Sequence, residues 1–397
     1  MAAGHPHEHH LGRTAGLIGA AVGLAAAGTA VGVAVTRTAT SRVRAGQLAG
    51  QAGNGGRAVA DLPAREQREQ DPLGAARRPA DRTALVQTDD GVLLAVEEIG
   101  PLDAPLTVVF VHGYALSMAS WTFQRRELAT ELATANGHRP TARLVFYDQR
   151  GHGSSGRGAA DSATIDQLAT DLETVLTARV PRGPVVLVGH SMGGMTILTL
   201  AQHRPDLFGS RVAGVALAST SSGNLADLDF GLPQLLTRVR AAVLPVAAFV
   251  MRRRPGFAEH ARRLAKDVVS AATWSLSFAS ADVDPALGRY VDAMIAGTPV
   301  DVIAEFYPAI AGLDAGGAIE PLRRVPTLVL TGDADKLIPQ AHSERIVEEL
   351  GRTGSDSTEF VVVPGAGHLV LLEKPAEVTA ALSALLRRVA AEQPARR

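Results

Sequence analysis

Residues 184–195 read Pro-Val-Val-Leu-Val-Gly-His-Ser-Met-Gly-Gly-Met, an apolar run that stops at a Gly-x-Ser-x-Gly turn. The pattern predicts a buried strand over 185–188, a sharp turn at Ser191 and a helix that starts at Met192. A serine in such a turn has a strained backbone and a raised hydroxyl, and it needs close neighbours without side chains. Those neighbours are Gly189, Gly193 and Gly194. Ser191 is therefore the candidate nucleophile.

Short apolar strands alternate with helical segments on both sides of this turn. A hairpin at 84–87 and 92–99, joined through Asp-Gly, starts the pattern. The further strands are expected at 106–111, 143–147, 185–188, 212–218, 327–331 and 359–363, and the helices at 120–133, 165–180, 192–203, 340–350 and 375–389. Apolar strands that alternate with helices are typical of a parallel sheet covered on both faces. The predicted fold class is α/β, with a mostly parallel eight-stranded sheet.

Bulk composition excludes several classes of function. Hydrophobic residues make up 46% of the 397 residues and charged residues 20%, which predicts a globular core. The net charge of −1 gives no attraction to nucleic acid, and no nucleic-acid motif is present. The chain has no cysteine, so disulfides, thiolate catalysis and cysteine metal sites are excluded.

The N-terminal part differs in composition from the rest. Residues 14–36, between Arg13 and Arg37, are uncharged and dominated by Ala, Gly, Val, Leu and Ile. About 23 residues at helical rise would cross a hydrocarbon core of about 30 Å. A retained membrane helix, a cleaved export signal and a glycine-rich soluble helix compete as interpretations. We expect a membrane-anchored protein, with exported and cytoplasmic forms as the alternatives.

The order of these segments predicts the domain organisation. Residues 1–44 would form a tail with the membrane helix, and residues 45–80, without periodicity, a flexible linker. Residues 81–397 would form one α/β domain. Residues 219–325 look helical and contain no clear strand, so they are expected to form a helical cap inserted between two strands. The apolar stretches of that cap serve either core packing or a lipophilic substrate pocket.

A nucleophilic serine needs a base, and the base needs an orienting carboxylate. Open α/β sheets gather functional loops at the carboxyl ends of their strands. The loop after strand 359–363 carries His368 beside a glycine, which makes His368 the candidate base. The loop after strand 327–331 carries both Asp333 and Asp335, and spacing alone leaves both as candidates for the acid.

Together these motifs resemble the α/β-hydrolase family from about residue 83 to residue 389. The segments that carry the resemblance, in the family's order, are Val-His-Gly-Tyr at 111–114, Asp-Gln-Arg-Gly-His-Gly-Ser-Ser at 148–155, the turn at 189–193, the acid loop, and Gly367-His368 with Glu373 and Pro375. The family's acid loop often reads Gly-x-x-Asp-x-x-x-Pro. Gly332, Asp335 and Pro339 match it. The resemblance thus implies Asp335 as the acid and Asp333 as a turn residue.

The resemblance also implies an oxyanion hole made of two main-chain N–H groups. One would come from Met192, directly after the nucleophile, and the other from Tyr114 in the loop after the third strand. His112, His152 and His190 would then be structural.

The nucleophile type narrows the chemistry. Epoxide hydrolases and haloalkane dehalogenases of this family use aspartate where this chain has Ser191, so an acyl-enzyme route is implied. The expected function is hydrolysis of a lipophilic small-molecule carboxylic ester, without metal or organic cofactor. A cofactor-free haloperoxidase (perhydrolase), a carbon–carbon bond hydrolase and a thioesterase share the triad. A non-catalytic ligand-binding protein is the alternative from another class.

Overall fold

The computed structural model describes residues 79–134, 142–225, 266–280, 282–351 and 357–392, with Leu73 and a few residues between 249 and 260. The predicted membrane segment 14–36 and most of the predicted linker lie outside the described residues. Within the described ranges, no helix is long and apolar enough to cross a membrane.

Eight strands form one sheet in the order β1-β2-β4-β3-β5-β6-β7-β8. The strands are β1 (Arg82–Gln87), β2 (Leu93–Ile99), β3 (Leu106–Val111), β4 (Ala142–Tyr147), β5 (Val185–His190), β6 (Val212–Ala218), β7 (Thr327–Gly332) and β8 (Thr358–Val363). Strands β3 to β8 are parallel, whereas β2 runs antiparallel to both β1 and β4. The predicted hairpin and the mostly parallel eight-stranded sheet are confirmed.

Helices cover the sheet on both faces. Among the described residues, whether or not they lie on the sheet, the helices are α1 (Thr122–Thr134), α2 (Ile165–Arg179), α3 (Met192–His203), α4 (Lys266–Ser277), α5 (Pro285–Gly297), α6 (Val300–Ala311), α7 (Ile319–Leu322), α8 (Gln340–Gly351), α9 (Val370–Glu373) and α10 (Pro375–Glu392). Helix α2 packs beside α3, and α1 packs beside α10. Every residue of β3 and β5 is buried, because each of these central strands has helices on both sides.

Alternate residues of the central strands pack against the helices on opposite faces of the sheet. Val109 and Val111 of β3 belong to one apolar cluster, which also contains Leu168 of α2 and Ile197 of α3. Phe110, between them, faces the other side and stacks on Phe146 of β4 with ring centroids 4.5 Å apart. This alternation fixes the register of the strands, and with it the positions of the loops at their carboxyl ends.

The chain divides into two units. Residues 59–228 and 276–397 form the unit that contains the sheet. The other comprises residues 1–58 and 229–275, of which the structure mainly describes helix α4 up to Ser275. Between β6 and β7 the described elements are helical, apart from the single-residue bridge of Gly223 to Asp314. The predicted domain boundaries and the cap remain predictions.

Candidate active site

Strand β5 leads directly into Ser191, which adopts φ 52° and ψ −119° before α3 begins at Met192. A serine at positive φ is strained, so the surrounding contacts must hold it. Its N–H donates to the carbonyl of Ala218 at 2.9 Å, and its own carbonyl accepts from Thr220 Oγ1 at 2.7 Å. The end of β6 thereby fixes the backbone of the turn.

The turn is packed too tightly for side chains on its glycines. A Cβ on Gly193 would lie 2.2 Å from the carbonyl oxygen of Val111, at the end of β3. A Cβ on Gly194 would lie 2.6 Å from Thr220 Oγ1, and one on Gly189 would lie 2.6 Å from the backbone of Gly193. These contacts are the physical reason for the Gly-x-Ser-x-Gly-Gly sequence.

The loops after β7 and β8 meet this turn. The Nε2 atom of His368 lies 3.0 Å from Ser191 Oγ, and its Nδ1 lies 2.9 Å from Asp335 Oδ2. The Asp335 carboxylate can only accept, so the Nδ1 of His368 carries the proton and donates it to Asp335. The Nε2 atom then has a free lone pair, which accepts a hydrogen bond from the serine hydroxyl. All three side chains are buried or nearly so, with exposed fractions of 6–7%.

The carboxylate of Asp335 is also held from behind. Its Oδ1 accepts hydrogen bonds from the main-chain N–H groups of Leu337 and Ile338, each at 2.9 Å. These bonds leave Oδ2 for the imidazole. They fix the orientation of the carboxylate, and through it the ring of His368.

The loop after β3 passes close to the serine. A Cβ on Gly113 would lie 2.8 Å from His190 Nδ1 and 3.2 Å from Ser191 Cβ, so the close approach of this loop favours glycine. Tyr114 follows, and Ala115 has a left-handed backbone with φ 56°. On the other side of the serine, the N-terminus of α3 begins with Met192. Of the two predicted oxyanion residues, Met192 therefore follows Ser191 in the chain, and Tyr114 follows the glycine that approaches Ser191 in space.

The three histidines expected to be structural are buried. Burial lowers the pKa of His112 to about 4. Burial, with the neighbouring His112, lowers the pKa of His152 to about 3. His112 connects loops, because Gln149 N donates to its Nε2 at 2.9 Å. Arg150, in the same Gln-Arg-Gly-His loop, pairs with Asp171 through two bonds of 2.6 and 2.7 Å.

His190 makes a contact that sequence reasoning missed. Its Nε2 lies 2.9 Å from the main-chain oxygen of His368, and the two rings are 4.9 Å apart. Burial, and secondly the charge of His368, lower the pKa of His190 to about 3, so it is neutral and donates Nε2–H to that carbonyl. The sequence shows only that His190 precedes Ser191, and the partner lies 178 positions away.

Glu373 supports the same loop from another direction. Its two carboxylate oxygens accept from Gly367 N at 2.6 Å and from Ala279 N at 3.0 Å. The resemblance pointed to Glu373 without giving it a role, and the structure shows what it binds. Burial raises the pKa of this carboxyl group.

Among the described residues, no group of three or more His, Asp and Glu side chains is arranged to hold a metal ion. The histidines at positions 5, 7, 9 and 10 lie outside the described residues.

Comparison with known proteins gives consistent matches. A family described as the alpha/beta hydrolase fold matches residues 107–375, a range that includes Ser191, Asp335 and His368. The dihydrolipoyllysine-residue acetyltransferase component of the acetoin cleaving system of Pseudomonas putida is 28% identical over 324 residues, covering 79% of this chain and 71% of that protein.

Two further similarities cover nearly the whole of the compared proteins. Epoxide hydrolase A of Mycobacterium tuberculosis is 29% identical over 344 residues, covering 75% of this chain and 95% of that protein. The solved structure of a thermophilic esterase from Thermogutta terrifontis has a TM-score of 0.59 and 27% identity, covering 78% of this chain and 99% of the esterase.

Proposed function

The chain belongs to the α/β-hydrolase fold family, as its motifs predicted, and from this premise we propose that it is a serine hydrolase of carboxylic esters. The observation that carries the proposal is the continuous hydrogen-bond chain from Asp335 through His368 to Ser191, with distances of 2.9 and 3.0 Å. Similarity to a solved esterase at 27% identity supports the same reaction class.

In the proposed mechanism, Ser191 Oγ attacks the ester carbonyl carbon while His368 Nε2 accepts the hydroxyl proton. The negative charge that forms on the carbonyl oxygen is stabilised by the main-chain N–H groups of Met192 and Tyr114. The tetrahedral intermediate then collapses, and His368 gives its proton to the departing alcohol. An acyl group remains on Ser191.

Water completes the cycle. His368 takes a proton from the water as its oxygen attacks the acyl carbon, and the second tetrahedral intermediate forms in the same oxyanion hole. Its collapse returns the proton to Ser191 Oγ and releases the carboxylic acid. Asp335 keeps the imidazole in the tautomer that both steps need.

The identity of the nucleophile argues against epoxide opening, despite the similarity to epoxide hydrolase A. That reaction in this family uses an aspartate, whose carboxylate forms an ester with the opened ring. Ser191 stands in its place and has no carboxylate. A serine attacks an activated carbonyl instead, which an ester provides.

Hydrolysis of p-nitrophenyl esters with acyl chains of two to about twelve carbons tests the proposal. We expect turnover by the wild-type protein, a preference for the more lipophilic esters, and loss of about 10⁴-fold or more in Ser191→Ala. Equal hydrolysis by both proteins would disprove the assignment. A perhydrolase shares the triad and is distinguished from an esterase by a second assay: it would support bromination of monochlorodimedone in the presence of acetate and peroxide.

We further propose that residues 14–36 hold the enzyme at a membrane. The proposal is supported by the length of this uncharged segment, which as a helix is long enough to cross a hydrocarbon core of about 30 Å. Full-length protein should stay with membranes after carbonate extraction, whereas a variant that lacks residues 1–44 should be released. Release of both would overturn the anchor and leave the hydrolase assignment unaffected.

A further inference from the structure

The loop of residues 113–119, here called the oxyanion loop, carries the N–H of Tyr114. On its sheet side, Met118 N donates to Asp148 Oδ1 at 2.7 Å. Within the loop, Leu116 N donates to the carbonyl of Gly113 at 3.2 Å. These bonds hold the two ends of the loop, but neither acts on Tyr114 or Ala115 directly.

Helix α5, the residue that follows it and helix α6 each make one hydrogen bond to this loop. Tyr290 Oη donates to the carbonyl of Ala119 at 2.8 Å, and Thr298 Oγ1 donates to the carbonyl of Ala115 at 3.3 Å. The hydroxyl of Tyr114 itself donates to the carbonyl of Ile303 in α6. Three bonds therefore join the helical segment before β7 to the oxyanion loop.

The backbone of the loop shows why it needs support. Ala115 has φ 56°, in the left-handed backbone region that residues other than glycine rarely adopt. A residue in that region persists only where its surroundings hold it. Thr298, which is fully buried, contacts the carbonyl of this strained residue.

We infer that helices α5 and α6 set the position of the Tyr114 N–H, and that Tyr290 and Thr298 are positioning residues of the oxyanion hole. The inference rests on the proposed function and deepens it. An N–H donor stabilises the developing charge only when it is aimed at the place where the oxyanion forms, so small displacements lower the rate. Stabilisation that acts in the transition state changes kcat more than KM.

Kinetics of two single variants and their combination test the inference. Each of Tyr290→Phe and Thr298→Val removes one hydroxyl and should lower kcat about three- to tenfold, with KM nearly unchanged. Their combination should lower kcat by about 30-fold or more. Thr298→Ser keeps the donor and should retain most of the activity.

Two features of the design separate positioning from general stability. Rates are expressed per active site, by titrating Ser191 with a fluorophosphonate. Tyr147→Phe is the matched control, because the buried hydroxyl of Tyr147 has no hydrogen-bond partner among the described residues. Its kcat per site should equal that of the wild type.

A tetrahedral transition-state analogue gives an independent readout. Affinity for a trifluoromethyl ketone, which forms an oxyanion on Ser191, should fall by the same factor as kcat/KM in each variant. Unchanged kcat per titrated site in the double variant would overturn the inference. If Tyr290→Phe fails to fold, the contrast between Thr298→Val and Thr298→Ser decides the question alone. Absence of Ser191-dependent ester turnover in the wild type would instead overturn the proposed function.

Discussion

The carboxylate of Asp333 accepts a hydrogen bond at 2.8 Å from the main-chain N–H of Gly365, on the loop that carries His368. Asp335, two residues later, contacts the imidazole of His368 itself. The two carboxylates therefore act on the same loop at different points. Asp333 joins the backbones of two neighbouring loops, and Asp335 orients the proposed base.

Replacing each carboxylate by its amide should separate these roles. Asp335→Asn removes the charge and favours the wrong imidazole tautomer, so we expect kcat to fall by about 10³- to 10⁴-fold. Asp333→Asn retains an oxygen acceptor for Gly365, so activity should stay within about threefold of the wild type. Steady-state hydrolysis of one p-nitrophenyl ester by both variants is the measurement. A larger loss in Asp333→Asn would exchange the two assignments.

His190 should influence the reaction without touching the substrate. In His190→Phe an aromatic ring still fills the site, but the Nε2–H donor to the carbonyl of His368 is lost. The main-chain oxygen of His368 is left without this partner. We expect kcat/KM to fall by about tenfold. His203→Phe, at the exposed end of α3, makes the same replacement away from the site and should leave kcat/KM unchanged. Equal values for the two variants would show that the contact to His368 has no kinetic role.

The position of Gly193, two residues after the nucleophile, should tolerate no side chain. A Cβ on Gly193 would lie 2.2 Å from the carbonyl oxygen of Val111 and 2.8 Å from that of His112, and these backbone atoms cannot move aside as a flexible side chain could. We expect Gly193→Ala to lower the free energy of unfolding by about 3 kcal/mol or to prevent folding. Gly351→Ala is the matched control, since no described residue outside its own helix has an atom within 4 Å of the added Cβ. Urea unfolding of both variants tests the contrast, which equal stabilities would contradict.

Local signals in the sequence predicted the sheet, and they predicted Ser191, His368 and two candidate acids on loops at the carboxyl ends of its strands. Apolar runs of about six residues predict strands, and each of these side chains lies a few positions after the end of one strand. The choice between Asp333 and Asp335 needed the family's loop pattern, since both follow the same strand.

The contacts of Tyr290, Thr298 and His190 could not be predicted in this way. Tyr290 bonds to a carbonyl 171 positions away, and Thr298 to one 183 positions away. Their acceptors are main-chain oxygens, which every residue has, so no residue type at the other end signals the pairing. The contacts of Tyr290 and Thr298 depend on how the helices before β7 pack, and the contact of His190 depends on the path of the loop after β8. Hydrophobic periodicity carries no information about either.

Buried histidines should make the folded state sensitive to acid. Burial lowers the pKa of His152 to about 3 from an ordinary value of 6.5, so the unfolded chain binds a proton below pH 6.5 that the folded chain does not. The stability that this neutral histidine contributes is complete above about pH 6.5. It declines at lower pH by about 1.4 kcal/mol per pH unit, until the folded pKa is reached.

Buried carboxyl groups have the opposite effect on the pH dependence of stability. The contribution of His152 is therefore measured as the difference in unfolding free energy between the wild type and a variant without this histidine. Burial raises the pKa of Asp148 and of Asp171, so the folded state binds their protons more readily than the unfolded state does. His152→Asn removes one titrating group and leaves an amide N–H able to donate to the carbonyl of Arg150, as Nδ1 does at 2.9 Å. Between pH 6 and 4.5, the free energy of urea unfolding should therefore decrease less steeply in the variant, by about 1.4 kcal/mol per pH unit. Parallel curves for the two proteins would mean that His152 takes up its proton equally in both states, contrary to its burial beside His112 and Phe306.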